Sequence, residues 1–355
     1  MLPGLVNVTP FVADVSAYVD ADARQYNVLV LSASFEARPD QQLRVAGQQL
    51  PVVDADVPFG APGESSVKYD SDLAPAKRFF DVIVNGTAYA PQGRPTTELE
   101  VGISVGAFRK VLLVSGDRKW RGLGTPSAPA PFVRVPIVYE RAFGGCQGDK
   151  YDRRNPVGVG FEGAVSRDPA ILTEVPNIES PHDRVRSRGK SPQPAGFGVV
   201  ARAWLPRLPL AGTYDERWKA EQFPLVARDL DNRFYQCSPR DQQLEQSFEG
   251  ETVQAVNMTP EGLWSCRVPR LTVPVRARCD KRTMHVDLRT DTLIVEPDAY
   301  RVVLKARACI PVERNSAPVE EFVIGEASRA WWRARTTGKA YIGRASDKTN
   351  GYFVV

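Results

Sequence analysis

The stretch Asn27-Val-Leu-Val-Leu-Ser-Ala-Ser-Phe35 decides the fold class. Its apolar run passes into alternation, carries β-branched residues, and offers no helical period to compete with a strand reading. The same kind of segment recurs downstream as Asp81-Val-Ile-Val84, Glu98-Leu-Glu-Val-Gly-Ile-Ser-Val105 and Arg109-Lys-Val-Leu-Leu-Val114. Turn formers separate these runs: Asn85-Gly86, Pro91-Gln-Gly93 and Ser115-Gly116-Asp117. Strands of roughly 5–8 residues with a turn signal about every ten predict a sandwich or barrel. Asn85-Gly86 is the strongest hairpin signal, because both residues accept the positive φ of a type I′ turn.

Further along, Gly122-Leu-Gly-Thr-Pro-Ser-Ala-Pro-Ala-Pro131 has no periodicity and is a candidate module boundary. The following segment is rich in Pro and Gly yet still apolar, as in Phe143-Gly-Gly145 and Pro194-Ala-Gly-Phe-Gly198, which predicts ordered but irregular backbone. Strands return at Thr292-Leu-Ile-Val295 and Arg301-Val-Val-Leu304. Short helices are expected from Thr213 to Glu221 behind a capping box, from a Ser238 cap through Leu244, and over Ala330–Arg335. The expected fold is mainly β: a sandwich-like first module (residues 1–125) packed against an irregular Pro/Gly-rich β module with a few short helices (126–315), then a C-terminal tail (316–355) with helical character.

Composition narrows the function classes. The 355 residues are 43% hydrophobic and 25% charged, a globular balance, and the formal net charge of +4 is too small to demand a nucleic-acid or anionic-membrane partner. Residues 1–130 hold 12 basic and 14 acidic side chains, residues 131–315 hold 28 and 24, so basic character sits in the second part. No run of about 18 apolar residues is present, and no membrane-spanning helix is expected. The N-terminus lacks the basic and long apolar regions of a signal peptide, so a cytoplasmic location is expected. Five widely spaced cysteines, with no C-x-x-C pair, point to reduced, buried thiols rather than disulfides or zinc.

Two spacings mimic known sites. Gly102-Ile-Ser104-Val-Gly106 matches G-x-S-x-G, but strand-like flanks replace the strand-turn-helix that exposes a nucleophilic serine. Gly158-Val-Gly160-Phe-Glu-Gly163 matches G-x-G-x-x-G, but Asn155-Pro156 before it and Arg167-Asp-Pro169 after it deny the strand and helix that a dinucleotide needs. His182 and His285 have no ligand partner at metal spacing. No catalytic, cofactor or metal residue is therefore expected, and the chain reads as a non-enzyme. The rival readings are a carboxylate-based hydrolase using Asp215, Glu216, Asp229 or Asp231, and a nucleic-acid binder using the basic clusters Arg184–Lys190 and Arg267–Arg289. The Pro181–Pro192 loop, with few apolar groups, is expected to be mobile.

Nine turn-rich words follow in fixed order: Asp81-Val-Ile-Val-Asn-Gly-Thr-Ala-Tyr-Ala-Pro91, Gly116-Asp-Arg-Lys-Trp120, Tyr139-Glu-Arg-Ala-Phe-Gly-Gly145, Asn155-Pro-Val-Gly-Val-Gly-Phe161, Pro176-Asn-Ile-Glu179, Pro194-Ala-Gly-Phe-Gly198, Trp204-Leu-Pro-Arg207, Gly212-Thr-Tyr-Asp215 and Asp231-Asn-Arg-Phe234. Together they resemble family 2169 of the domains of unknown function, found with bacterial type VI secretion genes, over roughly Val28 to Pro311. The resemblance implies an adaptor or chaperone that stabilises a secreted effector and helps load it onto the VgrG spike or its PAAR tip, with no cofactor and no established site residues. Partner contacts are expected from arginines and aromatics of the second module, namely Arg141, Phe143, Arg184, Arg186, Arg188, Trp204 and Trp218, because interface hot spots favour these residue types.

Overall fold

The Asn27–Phe35 stretch forms the middle of the longest strand in the protein, and its pairing sets the architecture. The structure, a computed structural model, describes residues 2–39, 41–120, 125–161, 173–187, 189–280, 282–313, 317–341 and 351–355. In chain order the principal strands are β1 (Gly4–Asn7), β2 (Val12–Val19), β3 (Gln25–Glu36), β4 (Phe80–Val84), β5 (Glu98–Val105), β6 (Phe108–Ser115), β7 (Gln243–Leu244), β8 (Thr252–Val256), β9 (Leu263–Arg267), β10 (Val275–Cys279), β11 (Arg282–Val286), β12 (Arg289–Glu296), β13 (Arg301–Pro311) and β14 (Glu321–Ile324). Two α-helices, α1 (Glu216–Glu221) and α2 (Arg329–Thr336), are the only ones among the described residues. The protein is mainly β.

The largest sheet runs β7-β4-β12-β13-β3-β2, with Arg44–Val45 added beside the end of β3. A second sheet runs from Ile178–Glu179 through β6, β5 and β8 to β9, and a third is ordered β1-β14-β10-β11. β13 is antiparallel to β3 from Arg301↔Glu36 to Pro311↔Tyr26, whereas β12 is parallel to β4. The expected division at residues 125 and 126 thus cuts through both larger sheets, each of which takes strands from either side of it. The expected tail is likewise built in: β14 lies between β1 and β10, and Arg335 of α2 pairs with Glu321.

Alternation gives the largest sheet two unlike faces. Leu29, Leu31, Ala33 and Phe35 of β3, Val82 and Val84 of β4, Leu293 and Val295 of β12, and Val302, Leu304 and Ala306 of β13 enter one apolar core with Val101, Ile103, Leu112, Val114, Val253 and Ala255 of the second sheet. The opposite face carries Ser32, Ser34, Asp81, Thr292, Lys305 and Arg307, interleaved with Ile83, Ile294 and Val303. This half-polar face would face water in an ordinary two-layer sandwich. Here it is buried by a third, irregular layer containing Leu50, Val53, Tyr69, Val199 and Cys237.

The family words are structural joints in this layer and around it. Asn155 donates through Nδ2 to the carbonyls of Tyr139 (2.8 Å) and Phe143 (3.0 Å), and its own carbonyl accepts from Gly145 N–H. Phe143–Gly144 then pairs in parallel with Val159–Gly160. Gly144 has φ +148, and a Cβ there would lie 2.1 Å from the Asn155 carbonyl oxygen, so no larger residue fits.

Several local expectations are corrected. Asn85-Gly86 makes no hairpin: neither residue has positive φ, β4 pairs with β12, and the following Thr87–Tyr89 pairs with Arg134–Pro136. The turn is pre-empted because Asn85 N–H bonds to Val295 O while Gly86 sits against Pro297. Helix α1 is capped by Asp215, whose side chain accepts from Trp218 N–H, because Thr213 is engaged by Asp229. Ser238 caps nothing, as its hydroxyl donates to Asp81, and the next turn is the 3-10 segment Arg240–Gln242. Cys146 is exposed, against the expectation of buried thiols.

Candidate functional site

The irregular layer leaves one cleft where four arginines converge. Arg78 and Phe79 line it from just before β4, Val200, Pro206, Arg207 and Leu210 from the turns after the Phe197 word, and Arg233, Gln236, Ser238, Arg240, Gln243 and Glu245 from the segment entering and leaving β7. Its volume is about 590 Å³, within the usual range of ligand clefts.

The floor is rigid. Arg207 donates to Asp70 (2.8 Å), to the Val200 carbonyl (2.7 Å) and to the Phe234 carbonyl (2.9 Å), and its guanidinium lies over the Phe234 ring. Burial alone would raise the Asp70 carboxyl, but the charge and hydrogen bonds of Arg207, with Arg202 and Lys77 behind, hold it below the ordinary aspartate value. Gln236, fully buried, imitates a strand partner: its Oε1 accepts from Phe79 N–H (3.1 Å) and its Nε2 donates to Phe79 O (3.3 Å). Gln243 donates to the Ser238 carbonyl, and Ser238 donates to Asp81 (2.6 Å).

Beneath the floor the polar face of the largest sheet carries a closed set of charges. Asp81 accepts from Lys77 (2.8 Å) and from Cys237 N–H (3.1 Å), while Lys77 also donates to Thr292 (3.0 Å). Lys305 donates to Asp72 (2.8 Å), and Arg307 pairs with Asp291. Burial, the largest single influence, opposes the Lys77 charge, but Asp81 together with Cys237 and Asp291 outweighs it, so the ammonium is held above the ordinary lysine value. Burial, aided by Asp81, pushes the Cys237 thiol up, which removes it as a thiolate nucleophile. Every partner in this set is committed, and its role is to hold the cleft from below.

The walls differ from the floor. Arg233 is spent on Asp231 at 2.6 Å, but Arg78, Arg240 and Glu245 are exposed and form no ion pair among the described residues. An aromatic patch lies on the same excursion of chain: Tyr214 and Trp218 meet edge to face at 4.8 Å, and Trp218 and Phe223 at 5.6 Å. Trp218 is fixed by a bond from Nε1 to the Leu225 carbonyl (3.0 Å), while Phe223 is 68% exposed and Tyr214 46%.

The residues expected to meet a partner are dispersed. Trp204 is buried against Tyr139 with ring centroids 5.1 Å apart, and Phe143 is buried with Trp120, Val175 and Val185, so neither presents a surface. Arg141 bonds to Asn177 (3.2 Å), and Arg184 pairs with Glu98. Arg186 is exposed, and Arg188 lies outside the described residues. Trp218 alone of the seven stands at the aromatic patch. The Pro181–Pro192 loop is tied down where it is described: Val185 is buried, its N–H bonds to Glu179 (2.6 Å), and Asp183 pairs with Lys190 (3.0 Å).

The other candidates are engaged in local structure. Ser104 is a strand residue opposite Arg109, and Gly106, with φ +56, makes the β5–β6 hairpin turn. Gly163 and the residues after Phe161 up to 172 lie outside the described residues, and Gly158 packs on the Ala142 carbonyl rather than opening a helix. Asp215 caps α1, Asp229 accepts from Thr213, and Asp231 caps its own turn and holds Arg233, while Glu216 pairs with Lys219. In the second basic cluster Arg276 lies over Trp332 and Arg278 pairs with Glu320 (2.6 Å). Among the described residues no three His, Cys, Asp or Glu side chains gather as a metal site, and no helix is long and apolar enough to cross a membrane.

Fold and site together define a mainly β protein of three layers with an arginine-lined surface cleft. The family model described as an uncharacterized protein conserved in bacteria (DUF2169) matches residues 22–307, and the chain belongs to that bacterial family. Neither the curated proteins nor the solved structures gave a match.

Proposed function

We propose that the protein is a non-catalytic adaptor or chaperone that binds a type VI secretion effector and helps load it onto the VgrG spike or PAAR tip. The observation that carries the reading is the Tyr214–Trp218–Phe223 patch, which folding leaves exposed within a chain whose other large aromatics are mostly interior. Tyr and Trp are among the residue types that protein-binding hot spots favour. The family resemblance supplies the kind of partner, and the locked charges beneath the cleft favour a rigid receptor over a reacting centre.

The test is co-expression with the effector and spike genes of the same cluster, followed by affinity capture and mass spectrometry. The effector should co-purify at a fixed ratio, and Trp218→Ala with Phe223→Ala should release it with an unchanged thermal melt. A soluble effector that never associates with the folded protein would refute the proposal.

A further inference from the structure

We infer that the arginine-lined cleft receives an extended, acidic segment of a partner polypeptide, with two carboxylates seated on Arg78 and Arg240. The inference deepens the binding reading above and rests on it for the partner being a polypeptide.

Charge selects the ligand's sign. Four arginines and one glutamate line the cleft; Arg207 pairs with Asp70, which Arg202 shares, and Arg233 pairs with Asp231, which also feels the charge of Arg78, so positive charge remains in excess. Arg78 and Arg240 approach from different segments, one before β4 and one before β7, and so stand as two separate cationic points. Guanidinium forks bind carboxylates in bidentate geometry, and neither Arg78 nor Arg240 forms an ion pair among the described residues, with Asp231 acting on Arg78 only through space. Apolar Phe79, Val200, Pro206 and Leu210 line the same cleft, which suits aliphatic side chains placed between the acids.

The remaining polar groups argue against a phosphate ligand. Glu245 lies in the lining without an ion pair among the described residues, where it can accept N–H groups of a peptide backbone, donors that phosphate does not offer. Neither is the cleft built for nucleic acid, since a single lining aromatic, Phe79, offers no succession of stacking faces. β7 adds a reason for an extended ligand: it is a two-residue edge strand beside the cleft, paired among the described residues on one side only, with β4. Peptides that add to a sheet edge gain backbone hydrogen bonds while alternate side chains fill pockets.

The test uses the full chain and a fluorescein-labelled hexapeptide of alternating Asp and Leu, read by fluorescence anisotropy. The acidic peptide should bind with salt-sensitive affinity, and its alternating Asn and Leu counterpart should bind at least about tenfold more weakly, a difference of about 1.4 kcal/mol. Arg78→Gln with Arg240→Gln should weaken the acidic peptide at least about tenfold, Arg78→Lys with Arg240→Lys should weaken it less because the charge stays while the bidentate fork is lost, and Glu245→Gln should tighten it. Both arginines are exposed and form no ion pair among the described residues, so the melts should stay close to that of the parent protein.

No binding of the acidic peptide, equal binding of the neutral one, or indifference to the double substitution would overturn the inference. Displacement of the peptide by orthophosphate or by oligothymidylate at equal concentration would also overturn it, in favour of a plain anion or nucleic-acid site. Effector capture separates the two proposals. Capture that survives loss of Arg78 and Arg240 but fails without Trp218 and Phe223 leaves the adaptor reading standing and sinks the cleft. Peptide binding with no effector capture does the reverse.

Discussion

Replacing Arg207 with methionine removes a charge that is 4% exposed and leaves Asp70, 5% exposed, facing a hydrophobic side chain. Breaking a buried ion pair from one side costs about 3–5 kcal/mol, because the carboxylate stays desolvated with a weakened charge partner, here Arg202 at 3.3 Å. At ~2.1 cal/mol/K per residue the 355-residue chain has an unfolding entropy of about 0.75 kcal/mol/K, so the melting temperature should fall by roughly 4–7 °C. The pH dependence carries the sign. In the parent, Asp70 is held below its ordinary value of about 3.9, so its contribution is complete above that pH and is lost as pH falls through the depressed value. In Arg207→Met, burial prevails and lets Asp70 accept a proton, so the penalty should shrink as pH is lowered from 7 towards 4. Calorimetric melts of the parent, Arg207→Met, Asp70→Asn and the double variant across that range form the cycle. The double variant should recover much of the loss. A double variant no more stable than Arg207→Met, or a penalty that grows on acidification, would refute the electrostatic account of the cleft floor.

Three further outcomes follow from burial. Trp204→Ala should cost about 3–5 kcal/mol of stability, whereas Phe223→Ala, at an exposed position, should stay within about 0.5 kcal/mol, as chemical denaturation would measure. Gly144→Ala places a methyl group against the Asn155 carbonyl and should yield no native protein, seen as loss of soluble expression and of near-ultraviolet dichroism. Among the thiols, Cys146 should react first with Ellman's reagent at pH 8, while buried Cys237, with its thiol pushed up, should react only on unfolding.

The strands were legible because their apolar periods are strong, and Asn27–Phe35 is a strand throughout. Their partners were not, since nothing in Asp81–Val84 says that it will lie parallel to residues more than 200 positions later. Asn85-Gly86 misled because a local turn preference is worth less than the tertiary bonds Asn85 makes to Val295 and Lys68. Trp204 and Trp218 look alike in sequence, and only packing separates a core ring from a surface one. Val185, the single apolar residue within Arg184–Lys190, was the overlooked sign that this loop is anchored. The cleft left no local signal, because Arg78, Arg207 and Arg240 meet from three distant segments and none belongs to a recognisable spacing.

The pairing of β3 with β13 has a consequence for synthesis of the chain on the ribosome. Strand β3 ends at Glu36, and the strand that covers its inner edge begins only at Arg301. At ~5–20 residues per second the interval between them is on the order of 13–53 s, during which an apolar strand has only its β2 hairpin and the short Arg44–Val45 pairing for company. Such a nascent chain invites capture by holdase chaperones, and truncation before β13 should leave every upstream segment aggregation-prone rather than yield a shorter folded unit.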